Sequence, residues 1–185
     1  NDRDTDKNEK PLSKKERFFK VMNLLFDTNF LMAVNFTTTF IIFPGLCDNM
    51  KLFDLTPSLY YNTIAFIFNL IDTIGRYLPN VIKVSLAKLR VFTCLRMLVF
   101  VIYGIFYALE KYDYMGMTLS SIINILLLIV LSLSNGFICS KCFYYAPQRV
   151  SSEFKGIAAT CTSFFLMAGI FAGSIGANLI TQRLI

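Results

Sequence analysis

The chain has 185 residues, of which 55% are hydrophobic and only 16% charged, with a mean hydropathy of +0.56. An ordinary soluble domain of this size needs more polar surface, so the composition places the chain among membrane proteins. Histidine is absent, which disfavours enzymes built on a histidine base or triad and removes His-ligated zinc.

Residues Asn1 to Lys20 carry seven basic and five acidic side chains and no apolar run. They predict a solvated, cytoplasmic charged linker over 1–20, followed by one membrane bundle over 21–185. The opening is too polar for a signal peptide, so the chain reads as part of a longer one.

Five apolar segments follow, at about Leu24–Phe43, Tyr60–Leu78, Val91–Leu109, Leu119–Ile138 and Ile157–Ile180. At ~1.5 Å of rise per residue, some 20 helical residues cross a hydrocarbon core of about 30 Å. The segments do not alternate and are about twice the length of a transmembrane strand, so each predicts a helix. Pro44, Pro57, Pro79 and Pro147 fall at or beyond the segment ends, where a missing amide proton costs least. The first segment is diluted by Asp27, Asn35 and the run Thr37-Thr38-Thr39, and such a helix needs partners.

Basic residues are retained on the cytoplasmic side of a membrane. The amino-terminal stretch and the loops near Asn80–Arg90 and Lys141–Gly156 together hold thirteen Lys and Arg, whereas the opposite side holds Lys51, Lys111 and Arg183. This predicts a cytoplasmic amino end, five crossings and an outer carboxyl end. It also accounts for the basic pI of about 9.1 without nucleic-acid binding.

The second segment is the most informative. Asn69, Asp72 and Arg76 stand at i, i+3 and i+7, on one arc of a helix, with Asp72 and Arg76 adjacent at i, i+4. From a start near Tyr60, Asp72 lies about 18 Å along the helix, near the bilayer midplane, where charge is costly and marks a functional site. A pair that only glues helices together is the competing reading. Arg96 and Asp27 lie near the inner ends of their segments. Arg96 is expected to reach the cytoplasmic interface with its long side chain and is assigned no function, and Asp27 is assigned no role, a cation elsewhere in the longer protein being one partner it could take.

In the fourth segment Ser134, Asn135 and Gly136 suit either ligand contact or helix packing. Cys139-x-x-Cys142 has no second pair and no histidine to complete a zinc site, and the five cysteines give no disulfide framework. No metal or cofactor is expected. Gly169, Gly173 and Ala177 form a small-xxx-small face for close helix approach. The sequon Asn35-Phe36-Thr37 falls inside a predicted span and is set aside.

The order of these elements resembles the carboxyl-terminal half of the equilibrative nucleoside transporter family. The most specific match is Asn69-x-x-Asp72-x-x-Gly75-Arg76, supported by Phe43-Pro44, by Ser134-Asn135-Gly136 with Pro147, and by the Gly169, Gly173, Ala177 face. The resemblance implies an all-α membrane protein of eleven helices, similar in fold to the major facilitator superfamily, in which this chain supplies five transmembrane helices as the second bundle. The partner would be an amino-terminal six-helix half of the same transporter, in the plasma membrane. It also implies alternating-access transport of purine nucleosides or nucleobases, with Asp72, Arg76, Asn69, Ser134 and Asn135 near the substrate and Phe43 near an extracellular gate.

A proton-coupled carrier is the nearest alternative, because a midplane acid can relay protons. A helical assembly subunit that uses the same residues only for packing is a second. An intramembrane enzyme lacks a nucleophile and base to assign, and a channel lacks a repeated pore element.

Overall fold

The computed structural model describes residues 13–47, 52–112, 114 and 116–184. Among them there are six α-helices and no strand: α1 (Lys14–Leu24), α2 (Phe26–Phe40), α3 (Pro57–Tyr77), α4 (Leu86–Lys111), α5 (Met117–Gln148) and α6 (Lys155–Leu184). Four helical stretches are long and apolar enough to cross a membrane: Phe26–Leu46, Leu86–Glu110, Met117–Gln148 and Ser152–Gln182. The protein is therefore an all-helical membrane protein. Helix α3 has 21 residues, but Asn62, Asn69, Asp72, Thr73 and Arg76 keep it out of that group, and its length and packing have to speak for it instead.

Of the predicted charged linker, 1–12 lie outside the described residues, and the described part carries a helix that the sequence reading did not include. Lys14–Leu24 is a helix because Ser13 and Glu16 close a capping box, with Glu16 N–H on Ser13 Oγ at 3.3 Å and Ser13 N–H on Glu16 Oε2 at 2.7 Å. Its inward residue Val21 and the capping residue Leu25 pack with Ala146, Ala158 and Cys161. The first apolar segment also runs past Pro44. A π-helical turn over Ile41–Leu46 absorbs the proline, and Phe43 takes extended angles (φ −119, ψ 123) before the cis bond to Pro44. The fourth segment outlasts its expected end at Ile138, continuing as α5 to Gln148. Its last turns stay helical because Cys139, Cys142 and Ala146 are buried against neighbours, and Pro147 enters only one residue before the end.

Two close helix contacts set the geometry. Helices α3 and α5 meet through Gly75 and Gly136: a Cβ on Gly75 would lie 2.4 Å from the carbonyl oxygen of Leu133, and one on Gly136 would lie 2.1 Å from that of Asp72. Helices α2 and α6 meet through the small-residue face, where a Cβ on Gly169 would sit 2.5 Å from Ala33 O and one on Gly173 would sit 2.7 Å from Thr37 O. The Thr37 hydroxyl seals this contact by donating to Gly169 O at 3.2 Å. Apolar clusters flank the polar middle of the bundle. Ile42, Phe68, Tyr103, Leu128 and Leu131 form one, and Met32, Phe36, Leu89, Phe137 and Ile138 the other.

Because the obstructing atoms at Gly136 are backbone, even alanine there must push α3 and α5 apart. Gly136→Ala is expected to lower the melting temperature of the detergent-solubilised full-length protein by about 5 °C or more. Gly104→Ala, where nothing lies within 4 Å of the new carbon, is the matched control and should lower it little or not at all. Equal melting of the two variants would show that the close crossing contributes no stability.

Candidate functional site

Helix α3 delivers Asp72 and Arg76 from successive turns, and the close approach of α5 at Gly136 brings Asn135 to the same place. Asp72 is 7% exposed. Its Oδ2 accepts from Arg76 Nε at 2.8 Å and its Oδ1 from Asn135 Nδ2 at 2.7 Å. The Arg76 side chain is 46% exposed, and its Nη1 touches Cys139 Sγ at 3.6 Å. One edge of this guanidinium is thus fixed by the carboxylate while the rest keeps donors for an uncharged oxygen- or nitrogen-bearing ligand.

Asp72, Arg76 and Asn135 are therefore brought together, and the other predicted site residues stand apart from them. Asn69 shares the exposed arc of α3 with Arg76, but its amide donates to Ala65 O at 2.8 Å within its own helix. Ser134 is buried and donates to Leu131 O at 2.9 Å. It lines an open apolar groove of about 730 Å³ between α4 and α5, with Phe92, Leu95, Leu133 and Phe137. Phe43 makes none of these bonds; its ring stacks on Phe68, one turn before Asp72 on α3, with centroids 4.2 Å apart and planes parallel to within 1°.

Behind Asn135 lies a polar layer that the sequence reading did not assemble. Asn135 Oδ1 accepts from Asn35 Nδ2 at 2.9 Å and from Thr39 Oγ1 at 2.8 Å. Arg96 completes the layer and corrects the expectation that it snorkels. It is 3% exposed, and its guanidinium donates to Asn35 O (3.3 Å), Thr39 Oγ1 (2.7 Å) and Leu131 O (3.1 Å). Reaching water would cost it three acceptors inside the bundle, so it stays. The available signal was Asn35 and Thr39 at i, i+4 in α2, one face of hydrogen-bonding groups that a buried donor would suit. Asn35 is fully buried, in keeping with setting its sequon aside.

Asp27, left open by the sequence, finds its partners within this chain. Its two carboxylate oxygens accept from Arg90, at the start of α4, and from Arg149, at the end of α5. The Thr28 amide adds a third bond at 2.8 Å. This cluster ties three helix ends together on the basic side of the bundle. No disulfide joins any of the five cysteines, and among the described residues no group of three His, Cys, Asp or Glu is placed to hold a metal.

The family description "Nucleoside transporter" matches residues 2–182 of the chain. The chain belongs to the nucleoside transporter family, whose members are carriers and not enzymes. It is 28% identical over 171 residues to Equilibrative nucleotide transporter 6 of Arabidopsis thaliana, an alignment that covers 92% of this chain and 38% of that protein. The chain thus spans well under half the length of this curated relative. No solved structure matches it.

The Asp27 cluster generates a test of its own. Two guanidinium groups share one carboxylate of 30% exposure, so the pairs are coupled and only partly screened. Asp27→Asn is expected to lower the melting temperature of the full-length protein, and to lower it by less than half as much when Arg149→Gln is already present. Additive losses would show that Asp27 and Arg149 act independently.

Proposed function

We propose that this chain forms the carboxyl-terminal, five-span half of a carrier that moves purine nucleosides, with nucleobases as a neighbouring permeant class, across the plasma membrane by alternating access. The observation that carries the reading is the Asp72–Arg76 pair, buried at the carboxylate and half open at the guanidinium, in a chain of the nucleoside transporter family. Arg76 donates to ribose or base oxygens, while Asp72, held from the other side by Asn135, fixes the guanidinium plane and offers its remaining lone pairs to a ribose hydroxyl. Asn69 lies about two turns from Arg76 on the same exposed arc and widens the polar face of α3, and Asn135 sets the back of the site. Ser134 shapes α5 beside it, and Phe43 on Phe68 closes one end as a gate.

The exposed arc of α3 with Asn69, Thr73 and Arg76 faces the space that an amino-terminal six-helix half would complete. In that arrangement α3 is the span that brings the count to five, polar on its cavity side and packed at Gly75 against α5 on the other. The two halves rock about this midplane site and expose it first to one side and then to the other. The concentration of Lys and Arg on the side of Asp27, Arg90 and Arg149 supports a cytoplasmic amino end and an extracellular carboxyl end.

The internal pairing of Asp72 with Arg76 at 2.8 Å favours a facilitative carrier over a proton relay, since the charge that would take up the proton is already compensated. It also favours an uncharged nucleoside over the nucleotide in the Arabidopsis relative's name. A phosphate would compete with Asp72 for a guanidinium that has no uncompensated charge to offer.

Uptake of radiolabelled inosine by cells expressing the full-length protein tests the reading. Saturable uptake is expected, falling at least tenfold in Arg76→Ala and in Asp72→Asn at equal surface abundance, with no dependence on an imposed pH gradient. Absence of uptake by well-expressed wild type would reject the permeant. Unchanged uptake in both variants would return the pair to helix packing, and gradient-driven accumulation would establish the proton-coupled alternative.

A further inference from the structure

Arg96 is a buried cation without a carboxylate within ion-pairing distance among the described residues. A guanidinium placed so in a membrane helix is costly unless its donors are used, and the directions of the bonds it makes can be deduced. Arginine donates and never accepts, so at 2.7 Å from Arg96 Nη2 the Thr39 oxygen is the acceptor. That leaves Thr39 one proton, with two acceptors in range: Asn135 Oδ1 and Asn35 O, each at 2.8 Å. Arg96 Nη1 already supplies Asn35 O, at 3.3 Å. Competition from Arg96 at Asn35 O makes Asn135 Oδ1 the better acceptor for the Thr39 proton, and the Asn35 amide donates there too, at 2.9 Å. With its oxygen committed to two donors, the Asn135 amide has one orientation, and its Nδ2 points to Asp72 Oδ1 at 2.7 Å. The second proton of Nη2 goes to Leu131 O at 3.1 Å, one turn before Asn135, and fastens α4 to the stretch of α5 that carries it.

From this geometry we infer that Arg96 is a positioning residue of the transport site. It acts through a one-way chain of donors, Arg96 to Thr39 to Asn135 to Asp72, that fixes the carboxylate on which Arg76 is mounted. The inference deepens the function proposed above and rests on it. Without Arg96 the Thr39 hydroxyl turns back to Asn35 O, Asn135 Oδ1 keeps only the Asn35 amide as donor, and the Asn135 amide is held less firmly against the Asp72 carboxylate. The consequence falls on the placement of Arg76 and so on substrate affinity. Bundle integrity depends instead on the glycine crossings and apolar clusters described above. The chain also explains why a threonine in α2 and an arginine in α4, neither in contact with Arg76 itself, would matter to a ligand there.

Inosine uptake by the full-length protein, normalised to surface abundance, separates the roles through KM and Vmax. Thr39→Val removes the relay while keeping the cation and nearly the same volume. Thr39→Ser keeps the hydroxyl, and Arg96→Met removes the source. The expected result is a KM raised about fivefold or more in Thr39→Val and Arg96→Met, with Vmax within twofold of wild type, near-normal kinetics in Thr39→Ser, and a double variant no worse than the worse single one. If Arg96→Met fails to reach the surface, Thr39→Val against Thr39→Ser carries the same comparison. An unchanged KM in Thr39→Val, multiplying effects in the double variant, or a loss confined to Vmax would overturn the inference while leaving the carrier intact. A wild type without uptake would instead reject the proposed function on which it rests.

Discussion

The candidate site depends on bringing charged and hydrogen-bonding groups within reach of one another where neither water nor lipid can serve them. Asp72, Arg76 and Arg96 are three charged side chains within apolar helices, and Asn35, Thr39 and Asn135 are the neutral groups that connect them. No single helix can meet this requirement. Helix α2 provides two of the groups, α3 two, α4 one and α5 one, so the polar layer exists only when four helices have docked. Above and below it the apolar clusters exclude solvent, which strengthens each bond and makes a missing partner more costly.

The glycines are the mechanical condition for that layer. An asparagine side chain is short, and Asn135 reaches Asp72 because α5 comes to backbone contact with α3 at the neighbouring residue, Gly136. Gly169 and Gly173 do the same for α2 and α6 and so fix the helix that carries Asn35 and Thr39. At the basic end, Asp27 gathers the ends of α4 and α5 onto α2 through Arg90 and Arg149. Close packing in the middle and ion pairing at one end thus hold the helices in a register that presents the exposed side of Arg76 while its inner edge stays fixed. In the carrier proposed above, a rigid half of this kind would confine movement to the boundary between the two halves.

Much of this was legible along the chain. Helix locations followed from apolar length, and the pairing of Asp72 with Arg76 from i, i+4 spacing. The small-residue face was legible too, because a repeat of four on a helix lies on one side whatever the partner. Helix α1 was legible as well, in Ser13 and Glu16, but the charge density of the first twenty residues outweighed a two-residue cap. The continuation of α2 through Pro44 and of α5 through most of the Cys139–Pro147 stretch was hidden, since proline and falling hydropathy mark the usual end of a span while packing against neighbours decides the actual one.

The sequence by itself determined that the chain is helical and membrane-embedded, and which residue types stand at special places on each helix, because these depend on composition and on the fixed period of the helix. Only the tertiary structure decided which of them meet. Asn135 joined Asp72 while Ser134, one residue away, turned to an apolar groove, and Asn69 stayed with its own helix. Arg96 went inward to three acceptors, and Asp27 found two arginines more than sixty residues distant. The physical reason is that a polar side chain in a membrane takes whichever partner the packing of neighbouring helices brings within reach, and no spacing along one helix encodes that packing.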